Sequence, residues 1–349
     1  MTNGVTMKFG NILFPYNGDP SRDTMLIAEL LREAQISEEL GVDAMWLAEH
    51  HFSGICPYAD PVGLATAIAA TTHRIKIGFS VLQASFHHPV KLAEQIAFLD
   101  NLSRGRMIVG LGRGNNAALY EYDAYKVNEE ETPERLVETE ELLTTLWTGG
   151  TVHQGKYWQF QIPALRPQPY SRPHPLMLRS VVKDASFIDM ARQNRPFLAG
   201  FVSEEALKHS LHLYRTAMRE DGRTSDEIDA NLANSWTWRR IFVADTNAEA
   251  ERIGPPAFRA MRSDRRGESE RLHAAVGRVT RASRQQEDAF IFGTPERVAE
   301  SIEKMVSTGI GGTILQFRLG SMPADLAERS LRLFMTEVAP AFQHDKELA

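Results

Sequence analysis

The stretch RIKIGFSVLQASFHHPVKLAEQIAFLDNLSRGRMIVGLG (74–112) decides the fold. Its first segment, RIKIGFSVL (74–82), and its last, RMIVGLG (106–112), are short runs rich in apolar residues. Both read as strands. Between them, HPVKLAEQIAFLDNLS (88–103) carries a helical period, with a proline just inside its start where a helix has no use for the missing N–H. A strand, a helix and a second strand in this order make two parallel strands with a crossover.

The same rhythm extends both ways. Upstream lie a strand in MKFGNILF (7–14), a helix over 20–40 closed by Gly41, a strand in VDAMWLA (42–48), and a helix in DPVGLATAIAATT (60–72) with Asp60 as N-cap. Downstream, TPERLVETEELLTTLWTG (132–149) is a helix, and residues 150–174 read as an insertion with short strands. Then follow PLMLRS (175–180), KDASFIDMARQN (183–194), RPFLAGF (195–201), a helix over 203–221 and ANSWTWRRIFVAD (233–245). Residues 254–290 are Arg-rich and irregular, which suggests a mobile, partly helical excursion over the site. A helix over 293–310, the eighth strand GGTILQF (311–317) and a closing helix over 322–342 complete the chain. Eight strands, each followed by a helix, predict an α/β fold, a (β/α)8 TIM barrel forming a single domain over 1–349, with insertions after strands four and seven. An open doubly wound sheet is the alternative.

Bulk properties narrow the function. The 349 residues are 43% hydrophobic and 24% charged, with a net charge of −6, which supports a large core and offers no nucleic-acid footprint. The one cysteine, Cys56, allows no internal disulfide and no cysteine-based metal cluster, and no metal is expected. Neither a leader-like N-terminus nor an apolar run of about 18 residues is read, so a soluble cytoplasmic protein without membrane contact is expected.

In a barrel, chemistry gathers at the C-terminal ends of the strands. Two polar clusters fall there. WLAEHHFSG (46–54) sets Glu49, His50 and His51 behind strand two, and LGRGNN (111–116) follows strand four. The glycines of the second cluster let backbone approach a ligand closely, and Arg113 offers a planar cation suited to phosphate. Either cluster also fits a plain rim of salt bridges.

EHHF (49–52), HHPVKLAEQIAFLDNLSRGRMIVGLGRG (87–114) and GTPERVAESI (293–302) resemble the bacterial luciferase-like flavin-dependent monooxygenases, with similarity from MKFGN at residue 7 to the last helix. The resemblance implies reduced FMN (FMNH2) and dioxygen reacting through a C4a-peroxyflavin to oxygenate a small organic substrate. The FMNH2 would come from a separate NAD(P)H:flavin reductase. It implies His50 as general base or hydrogen-bond donor, with Glu49 fixing its tautomer and His51 as a second candidate. Ser80-Val81 matches the family's non-proline cis peptide under the flavin ring. Gly112 falls where light-emitting members carry a reactive thiol. The phosphate turn after strand five reads RSVVKDAS (179–186), where the family's carboxylate–hydroxyl pair is replaced by Val181-Val182. Ser180, Lys183 and Ser186 remain as phosphate partners beside Arg113. A deazaflavin-dependent hydride-transfer enzyme and a non-catalytic flavin-binding protein are the alternative readings.

Tyr120, Tyr122, Tyr125, Tyr157, Trp158 and Phe160 are candidate pocket aromatics or local core, and Arg239 and Arg240 take opposite faces of strand seven. The helix over 60–72 is nearly uncharged and apolar on more than one side, which, with the family's habit of pairing through this region, predicts a homodimer.

Overall fold

The computed structural model describes residues 6–115, 118–200, 203–275, 277 and 290–343. Eight parallel strands close into a barrel: β1 (Lys8–Leu13), β2 (Ala44–Leu47), β3 (Lys76–Phe79), β4 (Met107–Gly112), β5 (Leu176–Val181), β6 (Phe197–Ala199), β7 (Trp236–Val243) and β8 (Gly312–Gln316). Each strand pairs with the next in sequence, and β8 pairs back onto β1 through Lys8↔Gly312. The sheet therefore has no open edge at these staves, and the open-sheet alternative is excluded.

Volume complementarity fills the interior. Trp46 and Trp236 meet at 5.0 Å between ring centroids. A Cβ on Gly78 would lie 2.5 Å from the Trp46 ring, and one on Gly312 2.5 Å from the Trp236 ring. The glycines opposite leave room for the two indoles, so large and small residues alternate across the barrel.

Around the barrel run α1 (Asp23–Glu39), α2 (Pro61–Thr71), α3 (Pro89–Leu102), α4 (Leu119–Tyr125), α5 (Thr132–Trp147), α6 (Asp184–Arg192), α7 (Glu204–Glu220), α8 (Ser225–Ala233), α9 (Asn247–Ala275), α10 (Pro295–Val306) and α11 (Ala324–Leu333). Asp60 caps α2 by accepting from the Val62 N–H at 2.8 Å. The 150–174 insertion contains an antiparallel hairpin, Val152–Gln154 with Gln159–Gln161.

Four features depart from the sequence reading. The short helices α4 and α8 were not anticipated, since nine residues or fewer give too little periodicity to register. Two short strands join the staves, Leu82–Gln83 on β4 and Phe290–Gly293 on β7. The closing helix is shorter than expected and ends at Leu333, where a π-helical turn takes over. The excursion after β7 is one continuous helix from Asn247 to Ala275, with Pro255 and Pro256 inside it, and its expected continuation over 278–289 lies outside the described residues. Among the described residues no helix is long and apolar enough to cross a membrane.

Candidate active site

Strand β2 delivers Glu49, His50 and His51 to the C-terminal rim, and the chain then turns sharply at Phe52, whose φ is 60°. Glu49 is 2% exposed. Its carboxylate accepts from His51 Nε2–H at 2.7 Å, from His87 Nε2–H at 2.8 Å and from the Gln83 main-chain N–H at 2.6 Å. Burial opposes ionisation of Glu49, but the hydrogen bonds from His51, His87 and Gln83 outweigh it and hold the carboxyl down at about 2. Burial likewise works against a charge on His87, yet the hydrogen bond and charge of Glu49 raise its pKa above the usual value. Each of the two thus favours the charged form of the other.

Glu121, on α4, is the second buried carboxylate and is 0% exposed. It accepts from the His51 main-chain N–H at 2.6 Å and from Gln83 Nε2 at 3.1 Å, and lies 3.6 Å from His50 Nδ1. Gln83 links the two carboxylates. Its Nε2 also donates to the Glu49 carbonyl at 3.0 Å, and its Oε1 accepts from the Asn115 N–H at 3.2 Å.

The two histidines differ in how they are held. His51 is engaged on both ring nitrogens, because Nε2–H serves Glu49 and Nδ1 accepts from the Tyr125 hydroxyl at 3.0 Å. His50 packs its ring 5.5 Å from Phe14 and has its Nδ1 beside Glu121. The expectation that Glu49 orients His50 is thus corrected: Glu49 serves His51 and His87, and the acid beside His50 is Glu121.

The floor of the mouth joins opposite walls. The Ser80-Val81 bond is cis. Ser80 Oγ accepts from the Trp238 indole N–H at 2.6 Å, across the barrel. A Cβ on Gly112 would lie 2.6 Å from Val81 Cγ2 and 3.9 Å from Ser180 Cβ, so Val81, Gly112 and Ser180 form one cradle that a larger residue at 112 would disrupt. On β5, Arg179 points outward to Glu140 on α5 at 3.0 Å and to Asp189 at 2.8 Å, which turns Ser180 inward. Ser186 stands in the first turn of α6, and Lys183 is its exposed N-cap residue. These groups and the half-buried Arg113 therefore sit at the ends of neighbouring staves.

Helix α9 reaches over the mouth. Met261 packs against Gly320 after β8, and the Arg265 guanidinium lies 5.9 Å from the Tyr16 ring after β1. At the far end, His273 Nε2 accepts from the Leu119 N–H at 3.2 Å, and its ring meets Tyr120 at 5.4 Å. Below the helix, Arg240 is buried 5.6 Å from the Phe258 ring, while Arg239 turns the other way and donates to the Trp238 carbonyl at 2.6 Å. Burial, then repulsion from Arg265 and Arg262, lowers the Arg240 pKa to about 9, which leaves it cationic.

The candidate aromatics divide into two groups. Tyr120, Tyr122 and Tyr125 belong to α4 and the mouth. Tyr157, Trp158 and Phe160 belong to the hairpin outside the barrel, where Glu138 on α5 accepts the Tyr157 and Trp158 N–H groups at 2.9 and 2.8 Å. Glu121, Gln83, His87 and Trp238 were missed as site residues. For Glu121 a signal existed: an acid set among aromatics in LYEYDAY (119–125), just past a strand end that was already under suspicion.

A model of the luciferase-like monooxygenase family matches residues 7–311. The chain belongs to the luciferase-like monooxygenases. Among the family's named members, the chain is 31% identical over 157 residues to the oxygenase component of the flavin-dependent trigonelline monooxygenase of Acinetobacter baylyi, covering 45% of this chain and 44% of that protein. It is 28% identical over 252 residues to limonene 1,2-monooxygenase of Rhodococcus erythropolis, covering 69% of this chain and 62% of that protein. These matches span less than two thirds of either relative's own length. The solved structure of the monooxygenase RslO1 from Streptomyces bottropensis superposes with a TM-score of 0.82 at 28% identity, over 96% of this chain and all of that one. In this luciferase-like protein the Glu49–His50–His51 rim, the Ser80-Val81 floor and the Arg113 loop all fall within the family-matched residues.

Proposed function

We propose that the protein is the oxygenase component of a two-component flavin-dependent monooxygenase, using reduced FMN and dioxygen to oxygenate a small organic substrate. A separate NAD(P)H:flavin reductase would supply the reduced flavin. The carrying observation is the rim itself: His50 stands at the mouth beside the hydrogen-bonded Glu49–His87–His51 cluster, over a floor built from Ser80, Val81, Gly112 and Trp238. These residues fit a flavin. The floor offers a flat, largely apolar support, and Arg113, Ser180, Lys183, Ser186 and the N-terminus of α6 offer donors for a phosphate.

When bound, reduced FMN supplies the electrons and the activation of dioxygen. This chain's residues do the rest. His50 holds or accepts a proton through Nε2, on which no hydrogen bond falls among the described residues. His51, engaged at both nitrogens, acts as scaffold. Helix α9 excludes water from the mouth. As supporting surface for a homodimer, α3 exposes Phe98 at 52% and Leu102 at 38%. The apolar surplus that suggested pairing is, however, largely covered within the chain, since Val62, Leu64, Ala65, Ile68 and Ala69 are all buried. The partner surface therefore rests on Phe98 and Leu102 more than on α2.

The test is anaerobic titration with FMNH2 and, in parallel, with a reduced deazaflavin, followed by air, with limonene and trigonelline as first substrates. FMNH2 is expected to bind, and oxygen-dependent product to form. His50→Ala should lower product formation by roughly 10²–10⁴-fold, the range for a positioned acid or base, with flavin affinity little changed. Oxygenation by that variant at the wild-type rate would refute the role given to His50.

A further inference from the structure

Two carboxylates are buried within the same rim, and they are not equivalent. Glu49 faces two imidazole N–H groups and one amide N–H, and is therefore saturated with donors. Glu121 is held by the His51 main-chain N–H and by Gln83, both neutral, and its Oε1 lies 3.6 Å from His50 Nδ1. A neutral imidazole carries one proton, on either nitrogen. With the proton on Nδ1, an N–H dipole faces the Glu121 oxygen. With the proton on Nε2, a lone pair faces it. In a buried setting the first arrangement is attractive and the second repulsive.

We propose that Glu121 is the positioning residue for His50: it holds the ring's proton on Nδ1 and so presents Nε2 as the basic nitrogen. The inference rests on the reading of His50 as the working imidazole. Geometry supports it twice over. Glu121 also anchors the peptide N–H of His51, so one carboxylate sets both the backbone carrying the histidine pair and the ring of the first histidine. Gln83 fixes Glu121 in turn, since its amide is oriented by the Asn115 N–H on one side and the Glu49 carbonyl on the other. The other groups at this corner leave the assignment to Glu121. Phe14 presents only an aromatic ring, Glu49 is engaged by His51 and His87, and Tyr125 donates to His51. The two carboxylates thus divide the histidines: Glu49 fixes the tautomer of His51 as Nε2–H, and Glu121 fixes that of His50 as Nδ1–H. Adjacent residues carry their protons on opposite nitrogens.

The experiment is 15N NMR of the flavin-free protein with labelled histidine, at a pH where both rings are neutral, with assignment by single histidine replacements. In the wild type, His50 should show a protonated Nδ1 and a bare Nε2 by about tenfold or more, the least that a charge at this range exerts. His51 should show the reverse. Glu121→Gln keeps the size of the side chain and an acceptor for the His51 N–H, and removes the charge. It should shift His50 toward Nε2–H by at least about fivefold and leave His51 unchanged, whereas Glu49→Gln should disturb His51 and leave His50. A wild-type His50 with its proton on Nε2 overturns the proposal without any variant. So does an unchanged His50 in a folded Glu121→Gln protein. Because no flavin, oxygen or substrate enters the measurement, its outcome is independent of the oxygenase assay, and each can fail alone.

Discussion

Replacing Glu49 by Gln removes one charge from a site that is closed to water, and its cost can be worked from the structure. The carboxyl is displaced from an ordinary 4.5 to about 2. A displacement of that size, at 1.36 kcal/mol per pH unit, corresponds to about 3 kcal/mol of stability at pH 6. The group's folded pKa is depressed, so this contribution is present above the unfolded value and is lost as pH falls through the folded one. At pH 3 the same linkage leaves about 1 kcal/mol. The other partner sets the upper limit. His87 has a raised pKa, so its share is complete below its unfolded value and fades as pH rises through the folded one. The difference between wild type and Glu49→Gln should therefore be largest near pH 6 and shrink on both sides. Urea unfolding of both proteins at pH 3, 6 and 9, followed by tryptophan fluorescence, measures it. Among the tryptophans, Trp46 and Trp236 pack against each other in the barrel core. A loss of about 3 kcal/mol at pH 6 is of the size expected when one partner of a buried pair is removed. A loss below about 1 kcal/mol at pH 6, or one that does not change with pH, would show that Glu49 is not the charged centre described.

Two further predictions concern the ligand and the partner. Arg113→Ala should weaken FMNH2 binding by about 1.5–3 kcal/mol, the range for a hydrogen bond to a charged group, and riboflavin binding much less; equal losses in an anaerobic fluorescence titration would remove Arg113 from the phosphate site. Phe98→Arg, on the exposed side of α3, should move a homodimer toward monomer in light scattering by setting like charges near each other across the two-fold axis. A wild-type protein that is already monomeric at micromolar concentration would dispose of the dimer.

How much of this was written in the chain order follows the range of the forces involved. The barrel was legible because hydrophobic period is local: RIKIGFSVL, HPVKLAEQIAFLDNLS and RMIVGLG each show their type over a few residues, and eight such repeats leave few topologies. That Glu49, His50 and His51 lie at the C-terminal rim was legible for the same reason, since they directly follow the apolar run of β2. What each of them does was not. Glu49 meets His87 from 38 residues away, Glu121 meets the His51 amide from 70 residues away, and Trp238 reaches Ser80 across 158 residues. Hydrogen bonding and burial depend on distances that only the closed barrel sets. Two adjacent histidines that look alike in EHHF are therefore separated by tertiary structure alone, one held on both nitrogens and the other with a single carboxylate beside it.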